Sequence, residues 1–477
     1  MSIPTNGLSF SQVGKLVSGN PHVLDTPDVR AGAEQIVAGA DLRPVARPAS
    51  LATVVKRPRF ALLVTGQTVS QFGDKLQAMA LIALVGARAQ VATSGIELAK
   101  LAIVFTLPMI VVGPIAGAFV DRWNKLRTLV LTDGMRGIVV GLMPAAYAYT
   151  HGLWSVYVLA GLAFLLGVFH NSAKLALIPD LVSHNELLPA NAALALIGRF
   201  ATVFGIVGGG LILSAPIWRR IGWPEYAAGF YIDAASFVFS AIMTAFIGAR
   251  MLGGRRPPAP TPTLTSLHPV HAVRSAFAIV GRDRRLRFAF LTIALLGVMA
   301  ASGYVLLVVS VQTVLGSGTK GVGLLGGMTA VGMIVGSLAI GTVGTRFNKG
   351  TIILAAMSLL GVAMGIGALF YTFAAMLPIA LVGGAMLAPV MVSQDTLIHE
   401  AAPQEARALV FSTRELVLGV AFVLTAWTVG GGVALASRAG WDEPYRALLG
   451  LCGILFALVG AVAALVHIRG RRRDHVR

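Results

Sequence analysis

Between residues 60 and 467 the chain is a succession of long apolar runs broken by polar turns, most of them short. A helix of about 20 apolar residues crosses the hydrocarbon core of a bilayer. No water satisfies backbone N–H and C=O groups there, so only helices and closed barrels cross it. The runs lack the period-two alternation of a membrane barrel, which leaves helices. Twelve spans are expected, at 60–86, 98–120, 128–149, 153–173, 190–213, 227–249, 288–314, 322–343, 351–371, 374–396, 408–433 and 446–467. Only 12% of the residues are charged, about half the share in soluble domains. The 55 glycines and 22 prolines also suit membrane helices, which accept both residues better than soluble helices do.

The exceptional connection is 250–287. It holds Arg-Arg-Pro-Pro-Ala-Pro-Thr-Pro at 255–262, the one proline-rich stretch in the body of the chain, and it reads as the boundary between two halves. The expected organisation is an N-terminal tail over 1–58, a six-helix bundle over 59–250 and a linker over 251–287. A second six-helix bundle over 288–467 and a basic tail over 468–477 complete it. The first tail is polar and expected to be mostly disordered, with Thr26-Pro27 opening a short helix over 27–41. It holds no apolar core of a secretory signal, so the first span is expected to direct insertion. In the linker, Val273, Phe277, Val280 and Gly281 share one side of a helix with arginines elsewhere, an arrangement suited either to an anionic membrane surface or to solvent.

The formal charge of +18 would suit nucleic acid if it formed one patch. It falls instead in alternate connections. With the N-terminus inside, 29 of the 38 lysines and arginines lie in inner segments and 7 in outer ones. By the positive-inside rule both termini and the linker are expected in the cytoplasm. The lone cysteine, Cys452, excludes an intrachain disulfide.

A charged string separates the second and third spans: Gly117-Ala-Phe-Val-Asp121-Arg122-Trp123-Asn124-Lys125-Leu126-Arg127. A degraded copy, Gly341-Thr-Val-Gly-Thr345-Arg346-Phe347-Asn348-Lys349-Gly350, recurs in the second half. A turn repeated once per half marks two related bundles, as in secondary transporters.

Twelve spans, a central linker and this loop together resemble the major facilitator superfamily. Its loop motif runs roughly Gly-x-x-x-Asp-Arg/Lys-x-Gly-Arg/Lys-Arg/Lys. Gly117, Asp121, Arg122, Lys125 and Arg127 match it in spirit, Asn124 stands where glycine is usual, and Leu126 breaks the basic pair. Leu177-Ile-Pro-Asp180, Asn185-Glu186, Ile232-Asp233-Ala-Ala-Ser236-Phe237 and Leu397-Ile-His-Glu-Ala-Ala-Pro403 are similar to bacterial efflux members, among them enterobactin-exporter-like and macrolide-efflux-like carriers. Phe72-Gly73-Asp74 also resembles lysophospholipid transporters and ferroportin-like exporters. The resemblance implies an all-α fold of two pseudo-symmetric six-helix bundles working by alternating access.

Two sets of residues are singled out. Gly117, Asp121, Arg122, Lys125 and Arg127, with Arg346 and Lys349 in the second copy, form an inner charge network. Its charge-assisted hydrogen bonds would hold one conformation and break in the other. Asp133 and Arg136, one turn apart in the third span, are expected to extend it. The second set serves substrate or proton coupling. Gln67, Gln71, Asp74 and Lys75 form a polar stripe on the first span, with Asp74 roughly 21 Å along the helix from Phe60. A charge at that depth is costly and usually faces an internal cavity. Asp74 and Lys75 either neutralise one another or form a proton site. Asp233, Gln394 and Asp395 join this set; His170, His399, Glu400, Arg414 and Glu415 supply further polar groups near inner helix ends.

The chain shows no nucleophile elbow, phosphate loop or metal-ligand cluster. Neither an enzyme nor a cofactor is expected, and no metal site is assigned. The expected partners are a small-molecule substrate, protons and membrane lipid, not nucleic acid, with the chain a monomer. The leading expectation is proton-coupled efflux of an amphipathic small molecule across the inner (plasma) membrane. A lysolipid flippase, a metal-ion exporter of the same fold, and a non-transporting scaffold or sensor are the alternatives.

Overall fold

The computed structural model describes residues 51–120, 122–251, 269–343 and 347–474. Residues 1–50 of the expected tail, most of the linker (252–268), Asp121 and Arg346 lie outside the described residues. Every regular element among the described residues is helical.

A short helix, Leu51–Val55, precedes twelve long ones. In chain order they are Pro58–Arg88, Val91–Val120, Lys125–Thr150, Leu153–Leu181, Leu187–Leu213 and Glu225–Met251, then Arg284–Val309, Gly318–Val343, Lys349–Leu369, Phe373–Ala401, Arg407–Arg438 and Pro444–Asp474, called here the first to twelfth spans. Eleven are long and apolar enough to cross a membrane on length and composition alone. The first span is the exception, because Gln67, Gln71, Asp74, Lys75 and Gln77 interrupt its apolar character.

Several boundaries differ from expectation. The second span starts at Val91, not 98, so Glu97 lies inside the helix with Lys100. The fourth runs on to Leu181 and the tenth to Ala401, which places Lys174, Asp180 and Glu400 on helices. The last part of the expected linker is a helix, Pro269–Arg282. It ends at Asp283, whose carboxylate accepts from the Arg285 and Leu286 amides and caps the seventh span. Ala276 and Val280 of this helix are buried, and Val280 packs with Leu286, Ala289 and Phe290.

In the first half the first span packs on the fifth and sixth, the third on the fourth and sixth, and the second on the fourth. The second half repeats this: seventh on eleventh, ninth on tenth and twelfth, eighth on tenth. The halves meet along the second and eleventh spans and along the fifth and eighth. With an even number of spans, the starts of odd-numbered spans and the ends of even-numbered ones share one face, here the termini end; the opposite face is the far end.

The halves close tightly at the far end. A Cβ on Gly210 would lie 2.8 Å from the Gly323 Cα, and one on Gly430 would lie 2.6 Å from the Gly95 carbonyl oxygen. Only glycine lets backbones approach this closely. The seventh span ends in a π turn, Ser310–Val314. From it Gln312 crosses to donate to the Ile82 carbonyl at 2.9 Å. The Tyr445 hydroxyl donates to the Val91 carbonyl (2.7 Å) and accepts from the Gly95 amide (3.1 Å). At the termini end the ion pairs Lys125–Asp180, Lys349–Glu400 and Arg57–Glu186 each stay within one half.

Candidate functional site

Four helices of the first half converge on a buried polar cluster. Asp74 of the first span accepts from the Arg136 guanidinium of the third at 2.5 Å. That guanidinium also lies 3.9 Å from the centre of the Phe237 ring on the sixth span. Arg136 is 5% exposed, so both contacts work in a medium that screens little; a desolvated cation–π contact is worth about 2 kcal/mol. Burying an ion costs several kcal/mol unless it is paired, and the Asp74 pair supplies that compensation. The Asp74 side chain keeps 28% of its surface exposed, so the pair is accessible on the carboxylate side.

One turn before Arg136, Asp133 lies 2.9 Å from Nδ1 of His170 on the fourth span, although neither carboxylate oxygen has a well-directed hydrogen bond. Thr132 Oγ1 is 3.3 Å from the same nitrogen. Gln67 Nε2 lies 2.9 Å from the other ring nitrogen, Nε2. If the amide donates there, the imidazole proton sits on Nδ1 and faces Asp133. Lys174 lies within electrostatic reach of Asp74, Arg136 and Asp133.

Asp233 on the sixth span is fully buried. One oxygen accepts from Ser236 Oγ at 3.0 Å, and the other has no hydrogen-bond partner. It faces Gly73, where an added Cβ would lie 2.3 Å from its Oδ1. Asp74, Arg136 and Asp133 are its charged neighbours.

The polar stripe on the first span therefore divides. Gln67 and Asp74, seven residues apart, turn to the third and fourth spans. Gln71 and Lys75 turn to the fifth, against Gly198 and Gly205. Asp74 pairs with Arg136 rather than with its neighbour Lys75, and Asp133 and Arg136 sit with Asp74 rather than with the loop charges.

The second half holds a smaller counterpart. Gln394 donates to Thr292 Oγ1 at 3.2 Å, joining the tenth and seventh spans as His170 and Gln67 join the fourth and first. Asp395 forms an ion pair with Arg414 at 3.0 Å, and Arg414 also contacts Glu415.

The repeated loop has a repeated geometry. Asn124 Oδ1 accepts from the Arg127 amide and caps the third span; Asn348 Oδ1 accepts from the Gly350 amide and caps the ninth. Lys125 then reaches Asp180 at 3.0 Å and Lys349 reaches Glu400 at 2.6 Å, tying each capped helix to the next. Among the described residues no atom lies within 4 Å of a Cβ at Gly117 or Gly341, and Arg122 and Arg127 are exposed. Among the described residues no three His, Cys, Asp or Glu side chains gather as a metal ion would need.

One cluster was missed in the sequence. Glu97 Oε1 accepts from Lys100 at 2.7 Å and Oε2 from the Tyr157 hydroxyl at 2.8 Å. A carboxylate and a lysine three residues apart on one helix are the available signal, hidden because hydropathy alone starts the second span at 98.

The fold has close counterparts among solved structures. A bacterial homologue of the human lysosomal transporter Spinster, in an inward-facing and unoccupied conformation, superposes with a TM-score of 0.65 at 13% identity, covering 88% of this chain and 98% of its own. A bacterial homologue of the iron transporter ferroportin, in an inward-facing state, gives 0.63 at 16% identity, covering 85% and 98%. The nucleoside transporter NupG gives 0.65 at 12%, covering 86% and 99%. At these identities the likeness concerns the fold alone. In sequence the chain is 27% identical over 207 residues to an uncharacterized MFS-type transporter, YfiS, of Bacillus subtilis (strain 168), covering 43% of this chain and 46% of that protein. The chain thus matches about half the length of that relative. The Major Facilitator Superfamily model matches residues 63–360, and the chain belongs to that family of membrane transporters.

Proposed function

We propose that this protein is a proton-coupled exporter of an amphipathic small molecule, working by alternating access across the cell membrane with both termini in the cytoplasm. The observation that carries the reading is the Asp74–Arg136 pair, a partly accessible carboxylate that neutralises a buried guanidinium deep in the first and third spans. Protonating Asp74 removes the partner of Arg136. The guanidinium is then left beside Asp133, one turn away on its own helix, and Asp233. Such a transfer changes which helices are tied together, and a proton thereby biases one arrangement over the other.

The far-end seal supports an inward-facing state, with the space between the halves opening towards the termini end. The lysines and arginines concentrated in the termini-end connections support a cytoplasmic face there. In the opposite state the seal must part, and the termini ends of the second and eighth spans, where Gly117 and Gly341 meet no other described residue, are the surfaces free to close.

The test uses purified protein in liposomes, with ΔpH-driven uptake and substrate counterflow followed in the same preparation. Asp74→Asn cannot titrate. ΔpH-driven accumulation is expected to vanish while exchange persists. Full ΔpH-driven transport by the variant would remove Asp74 from coupling and leave Asp233 or Asp395 as the candidates.

A further inference from the structure

Glu97 is a carboxylate inside the membrane that the coupling scheme does not use. It stands two residues beyond Gly95, whose backbone meets Gly430 in the far-end seal. It therefore lies just beneath the closed end, where a molecule entering from the termini end would stop. Its partner Tyr157 comes from the fourth span. From the other half, the Tyr304 hydroxyl lies within electrostatic reach of Tyr157, buried and without a hydrogen-bond partner.

Aromatic rings lie further along the same helices, Phe105 eight residues beyond Glu97 and Phe164 seven beyond Tyr157, and on the other half beside Tyr304. Phe105 and Phe164 meet edge to face at 4.9 Å, and Tyr304 meets Phe422 at 5.7 Å. The four rings come from the second, fourth, seventh and eleventh spans, two from each half. A cationic head on the carboxylate leaves its body to lie along these rings, whose quadrupoles also attract positive charge.

Lys100 now occupies Glu97 Oε1, and its side chain is 42% exposed. The Lys100 ammonium is half-exposed and held by a single contact on its own helix. Lys100 is thus a replaceable cation. An incoming ammonium can take its place on Oε1 while Tyr157 keeps Oε2 and Tyr304 gains a partner.

We propose that Glu97, Tyr157 and Tyr304 form the head-group site for the transported molecule, and that the site takes an organic cation with an aromatic or aliphatic body. This rests on the transporter reading and names its substrate class. Lys100 acts as a built-in competitor, so removing it should strengthen binding. A purely structural Glu97–Lys100 pair, or a site for anions centred on Lys100, gives the opposite sign or no change.

The experiment is equilibrium dialysis of the full chain in lipid nanodiscs, with empty nanodiscs as the blank. The probes are ethidium, an aromatic cation, and anilinonaphthalene sulfonate, an aromatic anion. Ethidium is expected to bind; Glu97→Gln should weaken it about tenfold and Lys100→Met should tighten it about twofold. Tyr304→Phe should weaken it modestly, and the sulfonate should not compete. Absence of ethidium binding, unchanged binding in Glu97→Gln, or weaker binding in Lys100→Met would each overturn the proposal, as would a sulfonate site lost with Lys100. Should Glu97→Gln fail to fold, Lys100→Met, with the carboxylate intact, decides the sign alone. No gradient is present in the dialysis cell. Failure of Asp74-dependent coupling with Glu97-dependent binding intact would therefore sink the coupling scheme and leave this site standing.

Discussion

Gly73 shows how a single missing side chain sets the geometry of the cluster. A Cβ there would lie 2.1 Å from Ser236 Oγ and 2.3 Å from Asp233 Oδ1, distances that force the first and sixth spans apart. Over-packing of this kind costs about 1–3 kcal/mol. Gly73→Ala is expected to lower the thermal midpoint in detergent, read by fluorescence-detected size exclusion, and to reduce transport with it; an unshifted midpoint would mean that the interface relaxes freely. Outside the membrane, Glu186 carries the clearest titration. The Ser183 amide, the Arg57 guanidinium and the Ser183 hydroxyl, in that order, stabilise its carboxylate and lower its pKa to about 2. The glutamate reaches back to the serine amide at 2.9 Å, the carboxylate half of a capping box, and the Ser183 hydroxyl donates to the same carboxylate. Because the folded value lies below the ordinary one of about 4.3, its stabilisation is complete above that pH and is lost as pH falls towards about 2. The stability gap between the wild type and Glu186→Gln should therefore be flat down to about pH 4.5 and shrink below it; a gap that varies near neutrality would contradict this. Asp74 was legible in the sequence because a charge deep in an apolar run stands out. Its partner was not, since Arg136 lies 62 residues away and only helix rotation decides between Arg136 and the adjacent Lys75.

At the scale of elements, the asparagine of the repeated loop gains a physical reason. The usual glycine at that position cannot cap through a side chain, whereas Asn124 and Asn348 do so at the same point in each half. Each cap is worth about 0.5–2 kcal/mol against alanine. Asn124→Ala and Asn348→Ala are expected to lower stability by similar amounts and additively, since the caps share no partner; thermal unfolding of the two single variants and the double checks this. The repeat was visible as letters, but its role was not, because capping depends on where a helix starts. The same uncertainty hid Glu97. Gln90 accepts from the Thr93 and Ser94 amides, which starts the second span seven residues early. A polar first two turns read as loop when only hydropathy is followed. The number of spans was legible throughout, since burial of backbone polar groups leaves an apolar run of this length no other structure.

For the whole molecule, the question is what holds the far end shut. Gln312 fills the space left by Gly86, where a Cβ would lie 2.3 Å from its amide carbon, and bonds across the halves to Ile82. The Gln312→Ala variant loses a buried hydrogen bond worth about 1 kcal/mol, which should raise the far-end-open population about fivefold. The readout is maleimide labelling from the far side of a cysteine placed at Val305, in a background with Cys452 replaced by serine; an unchanged rate would make the bond incidental. The remaining contacts of the seal are backbone against backbone at Gly95, Gly430, Gly210 and Gly323, together with the Tyr445 hydroxyl. None of these groups carries a charge. Ions in solution weaken attraction only between charges, so a door built this way keeps its strength from fresh water to brine. On the proposed orientation it is the door that faces the outside, where salinity is not the cell's to choose.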